Sequence, residues 1–139
     1  MPSSPAPAPD AQKAAVASTP GTTGFFASFR FAASGIAKAA KGRNFKIQCA
    51  VALLAFVLCV LLKVSTTELL VVIIFVAAVL SGECLNTAIE ALTDLASPSV
   101  HPLAKVAKDC AAGSVLIMSI ASLVAACIIF IPKLIALIG

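Results

Sequence analysis

The chain reads as an all-α membrane protein, with three transmembrane helices preceded by an amphipathic helix along the membrane surface. Three observations predict this class. Hydrophobic residues make up 60% of the 139 residues and charged residues 12%, where a soluble domain averages about 45–50% and about 25%. Mean hydropathy is +1.08. Apolar stretches recur at the length of about 20 residues that a helix needs to cross the hydrocarbon layer. The same composition excludes other classes. Five Cys and one His contain no Cys-x-x-Cys pair and no zinc spacing. A net charge of +4 scattered among apolar runs fits anionic headgroups or phosphate, not nucleic acid.

Residues 1–21 are Pro-, Ala- and Ser-rich with only Asp10 and Lys13 charged, which predicts a disordered tail rather than a signal peptide. Residues 22–139 then form the membrane domain. Over 24–41, Phe25, Phe29, Ala32, Ile36 and Ala40 fall within about 80° of one another at about 100° per residue. Arg30, Ser34, Lys38 and Lys41 cluster opposite them. Such a helix lies in the interface with its basic side toward headgroups. A first span covers 45–64, where Lys46 and Lys63 sit near the ends and can snorkel. Ser65, Thr66 and Thr67 make a turn. The apolar run from Leu69 to Leu80 is too short to cross alone, so the second span continues over 68–95 and takes carboxylates into the edge of the membrane. Ser97, Pro98, His101 and Pro102 mark a loop, and a third span, 110–131, is expected to end at Pro132 and Lys133. Arg30, Lys38, Lys41, Arg43 and Lys46 precede the first span, and Lys105 and Lys108 lie between the second and third. The positive-inside rule therefore predicts a cytoplasmic N-terminus and second loop, with the C-terminus outside.

The second span carries the chemistry. Taking the direction of Glu83 as reference, the helical step of about 100° per residue puts Thr87, Glu90 and Asp94 within about 40° of it and Asn86 within about 60°. Glu83 lies roughly 21 Å along the helix from Leu69 and Glu90 roughly 31 Å, against a hydrocarbon layer of about 30 Å. An unpaired carboxylate at such depth costs about 2.5 kcal/mol or more, so the stripe needs a cation, a proton or a metal. Three readings meet that need. The acids pair with Lys105, Lys108 or a neighbouring chain and hold a bundle together. They line a proton or cation path, although Leu69 to Leu80 offers that path no polar group. Or the deeper acid acts as base toward a lipid hydroxyl while one nearer water holds Mg²⁺ on a nucleotide phosphate. Lys108 and Asp109, at the start of the third span, add a cation and an acceptor on the same side, and a Lys there can neutralise phosphate oxygens. No Gly-x-x-x-x-Gly-Lys-Ser/Thr run is present, so nucleotide chemistry here is not of the P-loop kind.

GECLNTAIEALTD from Gly82, SPSVHPLAKVAKD from Ser97, AAGSVLI from Ala111 and RNFKIQ from Arg43 together resemble the bacterial diacylglycerol kinase and undecaprenol kinase family. SPSVHPLAKVAKD is more similar to the undecaprenol kinase branch. The resemblance implies a homotrimer in the bacterial cytoplasmic membrane with active sites between protomers. It also implies ATP- and Mg²⁺-dependent phosphorylation of a membrane lipid alcohol, undecaprenol first and diacylglycerol as the alternative. By the same resemblance Glu83 matches the catalytic base and Glu90 the metal-binding carboxylate that also meets the nucleotide. Lys108 and Asp109 match nucleotide contacts, as do Ser99, Val100 and His101 in the loop. Asn86 and Asp94 fall on further polar positions of the site, and Arg43, Asn44 and Lys46 on the surface segment that meets the lipid. One position departs: family members usually carry a second metal-binding Glu where this chain has Gly42, which leaves a non-catalytic member as a further alternative. Lys46 and Gln48 likewise stand where others often have Arg and His.

Overall fold

The computed structural model describes residues 24–97, 99 and 101–138. The expected N-terminal tail, residues 1–21, lies outside them, as does Val100. Four helices follow in order: α1 Phe25–Ala39, α2 Arg43–Leu61, α3 Thr66–Ala96 and α4 Pro102–Ile138. The described residues contain no strand. The chain divides between Ser34 and Gly35 into two units. In the first, the rings of Phe25 and Phe29 meet edge-on with centroids 4.9 Å apart, and the Arg30 guanidinium lies 5.6 Å from the Phe31 ring centroid. The second unit, from Gly35 on, holds α2 to α4.

α2, α3 and α4 are each long and apolar enough to cross a membrane. α2 is apolar nearly all round, which suits lipid and not a soluble surface. Few large side chains are buried: Leu53, Leu54, Ile74, Leu116, Ile117 and Ile120 are all exposed. With lipid tails as apolar as Leu, association must come from close packing and polar contacts between helices. Both are present. Cys59 of α2, Val72 of α3 and Ile129 and Phe130 of α4 form one buried cluster, and α3 packs on α4 far more extensively than on α2. At Gly82 side chains of α4 pack onto the α3 backbone: a Cβ there would lie 3.1 Å from Met118 Sδ and 3.6 Å from Val115 Cγ2.

The junctions show why the helices start and stop where they do. α2 ends with Lys63 at φ 48°, a left-handed residue that lets Val64 N donate back to Cys59 O at 3.1 Å. The expected turn at Ser65 to Thr67 is corrected: α3 already begins at Thr66, because Ser65 and Glu68 form a reciprocal capping box in which Ser65 Oγ accepts from Glu68 N at 3.3 Å and Glu68 Oε2 accepts from Ser65 N at 2.6 Å. α4 starts at Pro102, whose missing N–H is no loss in a first turn, and His101 Nδ1 accepts from Leu103 N at 3.2 Å. The expectation that the third helix ends at Pro132 is corrected: α4 runs through Pro132 to Ile138. The proline removes one donor, but in an apolar solvent a loop would leave several backbone groups unpaired, so the helix has the lower free energy.

Candidate active site

Glu83 and Asn86 are the buried polar side chains of the described bundle, 6% and 7% exposed. They lie one turn apart on α3, where Gly82 makes room for Met118 and Val115 of α4. The connection between α1 and α2 completes the enclosure. Lys38, Ala39, Gly42, Arg43 and Asn44 together with Glu83, Asn86, Thr87 and Glu90 line a cleft of about 310 Å³. Gly42 caps α2 at φ −63° and ψ 144°, an extended backbone that any residue adopts, although a Cβ there would lie 3.1 Å from Ala39 O.

Hydrogen bonds fix the cleft from the α3 side. Asn86 Nδ2 donates to Glu90 Oε1 at 3.1 Å, while Asn86 Oδ1 is buried without a partner. Thr87 Oγ1 donates to Glu83 O at 2.9 Å, which turns its hydroxyl back along the helix. Across the interface, Gln48 Nε2 of α2 donates to Glu83 Oε2 at 3.2 Å. Among the described residues Glu83 and Glu90 have no ion-pair partner, although Lys38 and Arg43 share their cleft. Glu83 is buried and Glu90 exposed, so two acids seven residues apart open on one cleft at different depths.

A second hollow adjoins it. An apolar groove of about 290 Å³ runs between α2, α3 and α4, lined by Val51, Ala55, Val76, Val79, Leu123 and Ala126 among others, and also by Gln48. Gln48 lines the groove, and its amide reaches Glu83, which lines the polar cleft.

The remaining sequence-selected residues lie elsewhere. Lys108 pairs with Asp94, and Lys105 with Asp109; none of the four lines the cleft. Asp94 shares the helix face of Glu83 but stands roughly 16 Å farther along α3, beyond the α1–α2 wall. Ser99 O accepts from Ser97 Oγ at 2.9 Å, His101 caps α4, and Lys46 is exposed outside the cleft. Sequence reasoning missed Gln48 and Lys38 as site residues. A lone Gln inside an apolar span is the available signal for Gln48; Lys38 carries none of its own, because it falls on the basic face of the surface helix.

The donor set fits a divalent cation of the Mg²⁺ kind. The described residues hold no cluster of three or more His, Cys, Asp or Glu, but Mg²⁺ takes one or two carboxylates and fills its octahedron with water and phosphate oxygens. Glu90 and the unpartnered Asn86 Oδ1 offer that much, and Lys38 and Arg43 offer positive charge to the phosphates.

Three helices able to span a membrane, an acid-lined cleft and an apolar groove linked to it through the Gln48–Glu83 hydrogen bond define the class, a multi-pass membrane protein with a polar site among its apolar helices. The chain belongs to the prokaryotic diacylglycerol kinase family, whose sequence model matches residues 30–130. It is 40% identical over 111 residues to the undecaprenol kinase of Bacillus subtilis, covering 79% of this chain and 90% of that protein. It is 38% identical over 112 residues to the diacylglycerol kinase of a Synechocystis species, covering 79% of this chain and 64% of that protein. Membership places the chain among the lipid kinases.

Proposed function

We propose that the protein transfers the γ-phosphoryl group of ATP to the hydroxyl of a membrane lipid alcohol, undecaprenol by preference and diacylglycerol as the alternative acceptor. The observation that carries this reading is the position of Glu83, buried in the polar cleft, hydrogen-bonded to a residue of the apolar groove and without a neutralising cation among the described residues. The groove takes the lipid chain, and its hydroxyl comes to Glu83. As the hydroxyl oxygen bonds to the γ-phosphorus, its proton passes to the Glu83 carboxylate and the bond to the β-phosphate bridging oxygen breaks, leaving ADP. Mg²⁺, when bound, would neutralise charge on the phosphate oxygens. Glu90 and Asn86 hold that ion, and Lys38 and Arg43 draw the triphosphate into the cleft.

Lys108, Asp109 and the loop at Ser99 to His101 serve the nucleotide in this reading from a second copy of the chain, since Lys108, Asp109, Ser99 and His101 do not line the cleft within one chain. A homotrimer with shared sites accounts for that separation. Mixing inactive Glu83→Gln and Lys108→Met chains in one detergent micelle restores part of the turnover if sites are shared and none if each chain works alone. The N-terminus faces the cytoplasm, where ATP is.

Incubating the purified protein with ATP, Mg²⁺ and a panel of polyprenols and diacylglycerols, read by mass spectrometry, tests the whole reading. Undecaprenyl phosphate from the wild type and about a hundredfold less, or lower still, from Glu83→Gln is the expected result; equal product from both removes Glu83 from the mechanism. Gly42→Glu addresses the departure from the family pattern. A rise in turnover identifies a weakened metal site, unchanged turnover a compensated one, and no product from either chain at high Mg²⁺ a non-catalytic family member.

A further inference from the structure

Gln48 is an amide in a helix that is otherwise apolar for most of its length. A polar side chain at that depth is costly without a partner, and its one partner is the carboxylate of Glu83, at 3.2 Å from a residue 35 positions away. The contact has only one chemically sensible sense. An amide turns its NH₂ toward a carboxylate, because two oxygens would repel. That donation occupies Glu83 Oε2 and fixes the plane of the carboxylate, leaving Oε1 to take a proton. The other half of the amide is left unsatisfied: Gln48 Oε1 is buried and has no partner. The side chain's place is therefore set by Glu83, not by its own hydrogen-bonding needs. The residue meanwhile lines the apolar groove.

We infer that Gln48 is a positioning residue: it holds the Glu83 carboxylate at the mouth of the groove with one oxygen engaged and the other free for the lipid hydroxyl. The inference rests on the reading of Glu83 as base and adds what keeps that base aimed. Acting through Glu83, Gln48 touches neither phosphate nor metal, so its loss falls on turnover and leaves nucleotide binding alone.

The test uses the full chain in detergent with ATP, Mg²⁺ and undecaprenol. Gln48→Met, which keeps length and packing but cannot donate, lowers kcat by about tenfold to a hundredfold with the KM for ATP unchanged. Gln48→His, whose ring N–H can donate, recovers most of the loss. In a Glu83→Gln background, Gln48→Met causes no further loss. A kcat for Gln48→Met within about twofold of wild type overturns the inference, and so does the same proportional loss in both backgrounds, which a merely structural role produces. Infrared spectra give a readout free of activity. The carboxylate band that disappears in Glu83→Gln shifts in Gln48→Met if the amide holds that group, and an unshifted band rejects it. No lipid phosphate from the wild type would end the kinase reading and this one with it. Product from the wild type and Glu83→Gln alike would end the base assignment; full activity in Gln48→Met beside a dead Glu83→Gln removes the positioning role alone.

Discussion

α3 carries a glutamate near each end of its apolar stretch, and the two live in opposite circumstances. Glu68 accepts from the Ser65 backbone and pairs with Lys133 of α4 at 3.1 Å, with both side chains 29% exposed. Its charge is neutralised and its oxygens are engaged by the cap that starts its own helix. Glu83 is buried, faces a polar cleft, and is held by one amide. The same side chain on the same helix is a fastening at one end and an uncompensated acid at the other. What separates them is the partner. A carboxylate given a cation and a cap is committed to structure, whereas one buried with neither is available for chemistry.

The comparison breaks first at Glu83. Glu83→Gln keeps size and can still bond Gln48, so it lowers lipid phosphorylation by about a hundredfold or more, in the range general-base loss produces, while the purified chain elutes as wild type. Retained activity would make the two glutamates equivalent. Glu90→Gln, measured as turnover against Mg²⁺ concentration, raises the half-saturating concentration by about tenfold, because one of the few protein ligands is weakened. Gly82→Val sharpens the contrast from behind the site. A branched side chain against Met118 and Val115 overpacks the α3–α4 contact, at a cost of about 1–3 kcal/mol in denaturant titration, and activity falls as Glu83 moves. Glu68→Gln has the smallest effect, with turnover within about twofold of wild type and a modest loss of thermal stability in detergent.

Much of the site was legible in the sequence because α3 is long and its helical step is fixed. Counting turns alone brings Glu83, Asn86, Thr87 and Glu90 onto one face, and all four line the cleft. The same counting puts Asp94 there too, yet Asp94 pairs with Lys108, since a shared helix face says nothing of where the opposing wall stops. The start of α3 was legible and overlooked: Ser-x-x-Glu at Ser65 is a capping signal that extends the helix back to Thr66. Pro132 misled because the rule that proline ends helices is a rule for water, where freed backbone groups find other partners.

The sequence by itself determined that three helices cross an apolar layer and that α3 carries acids on one face, because hydropathy and the 3.6-residue repeat are local properties of a chain. Only the tertiary structure decided that Gln48 meets Glu83 and that the groove opens beside the cleft. Past Gln48, α2 is apolar nearly all round, so apart from that one amide it holds no angular record of which side faces α3. Its rotation and register come from packing, from Gly82 admitting α4, from the cluster at Cys59, Val72, Ile129 and Phe130, and from one amide finding one carboxylate across the interface.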